Sequence, residues 1–293
     1  MRTALIAVQL LFGINYLVSK LVVTVLEPGA WAALRSLSAL AILTAITIAG
    51  RHRLPRGRDF WYLGGCALLG VTLNQIFFLE GLSRTTPAHS ALICSQIPLF
   101  ALVGSVLIRQ ERLTANKVAG LVLGMVGVMV LLEVDRFRLD SATLVGDLLT
   151  LANAVCYGLY VAFSGRVMAR HDSMGATTVV FLFGAAGIVL YGGLDLWHTP
   201  LVGLDTSVYL GMVYIVLGAT VATYFLNLWA LKHTQASRVA LFVFLQPVVA
   251  TVLSVILLHE PVTWRLVVAG MLVLASLVLR EGVPDRFLKF KRS

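Results

Sequence analysis

Charge is what this sequence has least of. Asp, Glu, Lys and Arg make up 13% of its 293 residues, hydrophobic residues make up 59%, and the mean hydropathy is +0.90. A surface facing water carries about 25–35% charged residues, so a soluble globular domain of this length is excluded. Cysteine is scarce as well: Cys66, Cys94 and Cys156 are the only three, and none forms a C-x-x-C pair. That excludes a disulfide framework and leaves all three as small buried hydrophobes. No Gly-Lys dipeptide occurs, which removes the phosphate-cradling loop of an ATP-driven pump. The six histidines, His52, His89, His171, His198, His233 and His259, fall in loops or at helix ends without the H-E-x-x-H of a zinc protease. Ser164-Gly165 lacks the glycine two places earlier that an intramembrane serine protease would carry. No enzyme activity, cofactor or metal is expected.

What the chain does have is apolar length. Hydrophobic residues arrive in blocks of about 20, the length at which a helix crosses a hydrocarbon core of about 30 Å. Ten such blocks run from Thr3 to Val25, Trp31 to Ala49, Phe60 to Gly81, Pro87 to Ile108, Ala115 to Leu132, Gly146 to Met168, Met174 to Leu194, Ser207 to Leu231, Ala236 to Leu258 and Thr263 to Leu279. The expected fold is an all-α polytopic membrane protein with ten transmembrane helices in a lipid bilayer. The first block follows only Met1 and Arg2 and carries no small-residue cleavage pattern, so it reads as a retained helix. Trp31, Trp61 and Trp264 read as interfacial belts.

The net charge of +9 sits between the blocks. With the N-terminus inside, Arg51, Arg53, Arg56, Arg58, Arg109, Arg112, Lys117, Arg166 and Arg170 are among the residues on the cytoplasmic side, and only Arg84, Arg136, Arg138 and Arg265 lie opposite. That asymmetry follows the positive-inside rule and predicts both termini in the cytoplasm. It assigns the charge to topology, so no nucleic-acid partner is expected. The basic tail RFLKFKRS is left to meet lipid headgroups.

Sliding the chain along itself brings SQIPLFALVGSVLIRQERLT onto FLQPVVATVLSVILLHEPVT. Pro98 falls on Pro247, Ser105 on Ser254, Glu111 on Glu260 and Thr114 on Thr263, and upstream Leu82 falls on Leu231 and Thr85 on Thr234, always 149 residues apart. The offset divides the chain into a five-helix repeat over 1–135, a second over 141–281 and a basic cytoplasmic tail over 282–293. An odd number of crossings turns the second copy over. Inverted repeats of this kind recur in secondary transporters, whose sites lie near the midplane between the halves and open alternately to the two sides.

The two sets of five helices, Lys20 and Arg35 in the first two, the mid-helix prolines and above all LLHEPVTWRLVVAG resemble the EamA family of the drug/metabolite transporter superfamily. The resemblance covers nearly the whole chain and is most specific at Glu260 to Thr263. The overall sequence is most similar to YddG-type bacterial amino acid exporters. The resemblance implies a multi-pass protein of the bacterial inner membrane exporting aromatic and other neutral amino acids as its small-molecule substrates. An exporter of other metabolites or drugs is the alternative within the superfamily. The first copy departs from the second by reading ERLT for EPVT, so no role of the second proline carries over to Arg112.

Polar side chains at bilayer depth are costly and face protein, water or substrate. Here they form stripes at helical spacing: Phe12, Asn15, Tyr16 and Ser19 in the first block; Asn74, Gln75 and Phe78 in the third; Asn153, Tyr157, Tyr160 and Ser164 in the sixth; Thr220, Thr223, Tyr224 and Asn227 in the eighth. The stripes read as the wall of a central cavity, as a channel pore, or as hydrogen bonds between neighbouring helices. The cavity candidates are Asn15, Tyr16, Lys20, Asn74, Gln75, Phe78, Gln96, Asn153, Tyr157, Tyr160, Thr223, Tyr224, Asn227 and Gln246. Lys20 has three readings: it attracts a substrate carboxylate, pairs with Glu80, or snorkels outward on its long stem. Arg35 reads similarly but nearer the surface. Pro98 and Pro247 fall near the middle of their blocks, where each frees the carbonyl four residues back and bends its helix; they are candidate hinges or static kinks. Gly120 and Gly124 form a G-x-x-x-G that Gly127 extends, for an internal helix contact or a dimer; both monomer and homodimer are open. No Asp or Glu falls near the middle of a block, which favours facilitated export over obligatory proton coupling.

Overall fold

The computed structural model describes residues 1–131, 144–168, 170–258 and 264–281, and among them the chain runs from helix to helix without a strand. The helices are α1 (Arg2–Val23), α2 (Pro28–Ala49), α3 (Arg58–Arg84), α4 (in two parts, Pro87–Cys94 and Ile97–Leu107) and α5 (Ala115–Leu131). They continue as α6 (Leu144–Met168), α7 (Ser173–His198), α8 (Thr206–His233), α9 (Ala236–Leu241, Phe242–Phe244 and Leu245–Leu258) and α10 (Trp264–Glu281). Seven of these are long and apolar enough to cross a membrane; the apolar stretches of α5, α9 and α10 are shorter, at Ala115–Leu131, Ala236–Val249 and Val267–Leu279. Arg136, Arg138, the Glu260 to Thr263 stretch, His259 and the tail over 282–293 lie outside the described residues.

Helix starts follow local chemistry. Asp172 caps α7 by accepting the Gly175 N–H at 2.9 Å, and Thr86 caps α4 by accepting the His89 N–H at 3.2 Å, with Pro87 in the first turn. Along α1, Leu10 and Leu17 are exposed while Gln9, Asn15 and Ser19 are buried. That is the reverse of a soluble amphipathic helix, and it fits a lipid exterior around a polar interior.

Four irregularities interrupt the rods. A π-helical turn occupies Leu68–Leu73 in α3 and another occupies Leu217–Ala222 in α8, 149 residues later. The α4 helix breaks at Ser95 and Gln96, and α9 narrows to a 3-10 turn at Phe242–Phe244. The breaks correct the expectation of bends centred on the prolines. Pro98 and Pro247 each sit in the first turn of the segment that follows the irregularity, where a proline's missing N–H would have had no helical partner anyway.

Helices pair across the two halves. The α2 and α7 helices pack along their length, with the Thr47 and Thr178 hydroxyls 2.7 Å apart, and α5 packs on α10. The α1 helix lies against α8 and α9, and α6 lies against α3 and α4. Gly124 approaches the Phe244 ring and Gly127 approaches α10 at Ala269 and Leu272, so the small face of α5 is used inside the chain. Trp61 and Trp264 are exposed, as belts require, but Trp31 is buried, contrary to expectation.

Candidate functional site

The irregular turns surround a central cavity. Phe12, Asn15 and Tyr16 reach it from α1, Arg35 from α2, Asn74, Gln75 and Phe78 from α3, and Cys94 and Ile97 from the two ends of the α4 break. Asn153 and Tyr157 reach it from α6, Tyr224 from α8 and Gln246 from α9. Asn74 directly follows one π turn and Tyr224 lies just past the other. A π turn widens the helix and leaves carbonyls without their usual donors. Here the Gly70 carbonyl accepts the Tyr224 hydroxyl at 2.6 Å, and Arg35 bonds the opposite turn through its Nε to the Thr220 hydroxyl at 2.6 Å. Gly70 has no room for a side chain, because a Cβ there would lie 2.2 Å from the Tyr160 ring.

Amides and hydroxyls cross-link the wall. Tyr16 donates to Gln246 Oε1 at 3.0 Å, and Gln246 Nε2 donates to Gln9 Oε1 at 2.7 Å. Asn153 Nδ2 donates to the Asn74 carbonyl at 2.8 Å. Aromatic rings form the apolar side, with Tyr16 edge-on to Phe78 at 5.7 Å and Phe12 edge-on to Tyr157 at 6.4 Å. The free volume is about 50 Å³; at about 10–15 Å³ per water by this measure, that holds a few waters and no amino acid. The cavity is narrow around its polar groups.

Asn15, Tyr16, Asn74, Gln75, Phe78, Asn153, Tyr157, Tyr224 and Gln246 therefore meet around one space. The other candidates lie elsewhere. Lys20 donates to the carbonyls of Leu82, Ser83 and Thr85 at 2.7, 3.3 and 2.9 Å, closing the end of α3, while Glu80 bonds Arg84 and Tyr191 instead. Gln96 sits at the α4 break, half-buried and off the cavity. Tyr160 is buried behind the wall against Tyr157 and Tyr224. Thr223 bonds back to the Ala219 carbonyl at 2.9 Å, and Asn227 supports the wall from behind by donating to the Tyr157 hydroxyl at 2.8 Å.

Arg35 is the main addition, since the sequence reading put it nearer the surface. It is 3% exposed and lines the cavity. Its signal was present in the spacing: Trp31, Arg35, Ala39, Leu43 and Thr47 recur every fourth residue, and all five are buried on one face of α2. Phe12 had been placed on the stripe of α1, whereas Cys94 and Ile97 carried no polar signal.

A larger cleft of about 1120 Å³ opens at the surface between the loop following α2 and the loop preceding α7. Two histidine–carboxylate contacts cross it, His52 to Asp172 at 3.2 Å between the loops and His171 to Asp59 in the first turn of α3 at 2.7 Å. Burial pushes the Asp172 carboxyl up, but the Gly175 N–H and the His52 side chain outweigh it and hold its pKa below the usual aspartate value.

Apolar helices closed around a small polar centre define a multi-pass membrane protein. The chain belongs to the EamA-like transporter family, which matches it twice, over residues 3–133 and 144–280. It is 26% identical to a probable amino-acid metabolite efflux pump of Escherichia coli (strain K12), over 93% of this chain and 91% of that protein. It is 28% identical to the uncharacterized transporter YvbV of Bacillus subtilis (strain 168), over 95% of this chain and 91% of that one. An uncharacterized transporter of Archaeoglobus fulgidus is 26% identical over 92% of this chain and 94% of its own length. A solved crystal structure shares the fold, with a TM-score of 0.77 at 23% identity over 99% of this chain and 98% of that one.

Proposed function

We propose that the protein exports amino acids and related metabolites across the bacterial inner membrane by alternating access through the central cavity. The observation that carries this reading is Arg35, a buried guanidinium at the cavity wall with no Asp or Glu among the lining residues. A buried cation without a fixed counter-charge is costly, and a substrate carboxylate relieves it through a forked pair of charge-assisted hydrogen bonds. The relative named as an amino-acid metabolite efflux pump supports the cargo class. The matched π turns, 149 residues apart, support two five-helix repeats with ten crossings, and the distribution of Arg and Lys between the apolar blocks supports their inversion and both termini in the cytoplasm.

In this reading the chain is a carrier and performs no catalysis. The α3–α4 and α8–α9 segments tilt at the breaks before Pro98 and Pro247 to open either side in turn. Transport is facilitated, since the cavity holds no carboxylate to carry a proton. Proteoliposomes loaded with unlabelled amino acid should take up labelled amino acid by counterflow, saturably and equally with or without a pH gradient. Unsaturable flux without exchange would mark a channel, and no flux with any amino acid would overturn the cargo class.

A further inference from the structure

The cavity presents hydrogen-bond donors and keeps most of its side-chain acceptors occupied. Gln75 Oε1 accepts from the Ser36 hydroxyl at 3.2 Å and Asn15 Oδ1 from Ser19 at 3.0 Å, while Asn74 Oδ1 lies 3.2 Å from the Tyr224 oxygen, whose one proton goes to the Gly70 carbonyl at 2.6 Å. Asn153 Oδ1 accepts from the Cys94 thiol at 3.4 Å, and Gln246 Oε1 from Tyr16 at 3.0 Å. Four of the five side-chain amide oxygens at the wall thus accept a bond from a protein donor.

The nitrogens are disposed differently. Gln75 is 2% exposed, and its Nε2 lies near the Tyr224 hydroxyl without a hydrogen bond of normal geometry to any group. Arg35 uses Nε on Thr220, while its Nη2 reaches only the Ala219 carbonyl at 3.4 Å. Among the described residues Arg35 Nη1 and the amide nitrogens of Asn15 and Asn74 bond no protein group. One cation and several N–H groups therefore converge on a space with no negative charge.

An amino acid brings two charged ends to such a space. Its carboxylate offers acceptors only, which matches the free N–H groups at the wall, and an arginine fork takes two of them at once. Its ammonium offers donors only. That end meets the like charge of Arg35 and five amide oxygens of which four are already bonded, and the aromatic rings supply it only a weak cation–π contact.

We infer that the cavity recognises the carboxylate of its cargo and not the ammonium, so that its substrate class is the apolar monocarboxylate, with or without an amino group. This rests on the reading of the central cavity as the transport site. Compounds in which the amine is replaced by a keto group or blocked by an acyl group bind at least as tightly as the parent amino acid. Compounds that keep the amine but lose the carboxylate bind poorly.

The test is a binding titration of the full chain, purified in phosphatidylcholine nanodiscs, with phenylalanine, phenylpyruvate, N-acetylphenylalanine and phenylalaninamide. Phenylpyruvate and N-acetylphenylalanine should match or exceed phenylalanine, and phenylalaninamide should bind at least about tenfold more weakly. The Gln75→Leu variant, which loses the unpartnered donor without touching Arg35, should weaken phenylpyruvate binding by about three- to tenfold and leave phenylalaninamide binding unchanged. Phenylalaninamide binding as well as phenylalanine, phenylpyruvate binding tenfold more weakly than phenylalanine (about 1.4 kcal/mol), or no binding of any of the four would overturn the inference. Counterflow separates this from the export reading. Phenylalanine exchange that phenylpyruvate does not inhibit sinks the inference and leaves export standing, whereas phenylpyruvate binding with no amino acid flux does the reverse.

Discussion

Arg35 on α2 donates its Nε to the Thr220 hydroxyl on α8 at 2.6 Å, and that hydroxyl donates onward to the Ile215 carbonyl at 2.8 Å. The relay ties a buried cation to a carbonyl at the edge of the π turn and aims the rest of the guanidinium at the cavity. Thr220→Val keeps the shape and removes both bonds, so it should lower stability by about 1–3 kcal/mol. As a positioning residue Thr220 should also raise the KM for counterflow, and Thr220→Ser should restore it. An unchanged KM in Thr220→Val would remove Thr220 from the site.

Lys20 offers the opposite case. Its ammonium meets three carbonyls at the end of α3 and stands off the cavity. Lys20→Met should lower the unfolding free energy by about 1–3 kcal/mol with the KM for cargo unchanged. A rise in KM at unchanged stability would return Lys20 to substrate binding.

Glu111 and Lys117 form a buried ion pair at 2.6 Å, and Glu111 Oε1 also accepts the Ser237 N–H at 3.0 Å. The carboxylate thereby holds the α4–α5 loop against the start of α9. Glu111→Gln leaves Lys117 buried without its counter-charge and should cost about 3–5 kcal/mol in thermal unfolding. Adding Lys117→Met should recover part of that loss, which a purely steric effect of the first change would not allow.

The capping carboxylate of Asp172 supplies a pH signature. Its pKa is lower in the folded protein than its ordinary value, so its contribution to stability is present above the unfolded pKa and is lost as pH falls through the folded one. Asp172→Asn should therefore be less stable than the parent near neutral pH, and the gap should close below about pH 4. Unfolding scans across that range check the sign, and a gap that widens in acid would contradict it.

Pro98 and Pro247 each lie in the first turn after an irregularity in their helix, and the proposed hinge role makes them a test of alternating access. Alanine is tolerated at such a position, so Pro98→Ala with Pro247→Ala should shift stability by no more than about 1 kcal/mol. Exchange should slow several-fold if the fixed φ of each proline is what keeps the following segment separate from the turn before it. Wild-type exchange rates would leave the prolines a packing role alone.

Much of this was legible before any coordinates. The apolar blocks fall on helices, and stripes such as Asn15 with Tyr16 and Asn74 with Gln75 meet at the cavity, because helical periodicity is a local property that a single segment records. The 149-residue offset read from Pro98 and Pro247 recurs in the two π turns, whose backbone shape the sequence did not announce. Trp31 and Arg35 were misplaced for one reason. A residue near a predicted helix end is assigned a depth from its sequence position, but whether it faces lipid or protein depends on the rotation of the helix against its neighbours.

The sequence by itself determined the helical class, the membrane setting and the supply of polar groups, since hydropathy and period act over single segments of about 20 residues. The tertiary structure decided which polar groups share a space. Arg35 finds Thr220 on another helix, Lys20 finds carbonyls at the end of α3, and Gln246 finds Tyr16 across the chain. Those pairings are set by helix rotation and by the irregular turns that move a side chain from one face to the next. They arise only when the helices pack, because burial obliges each polar group to find a partner wherever the fold brings one.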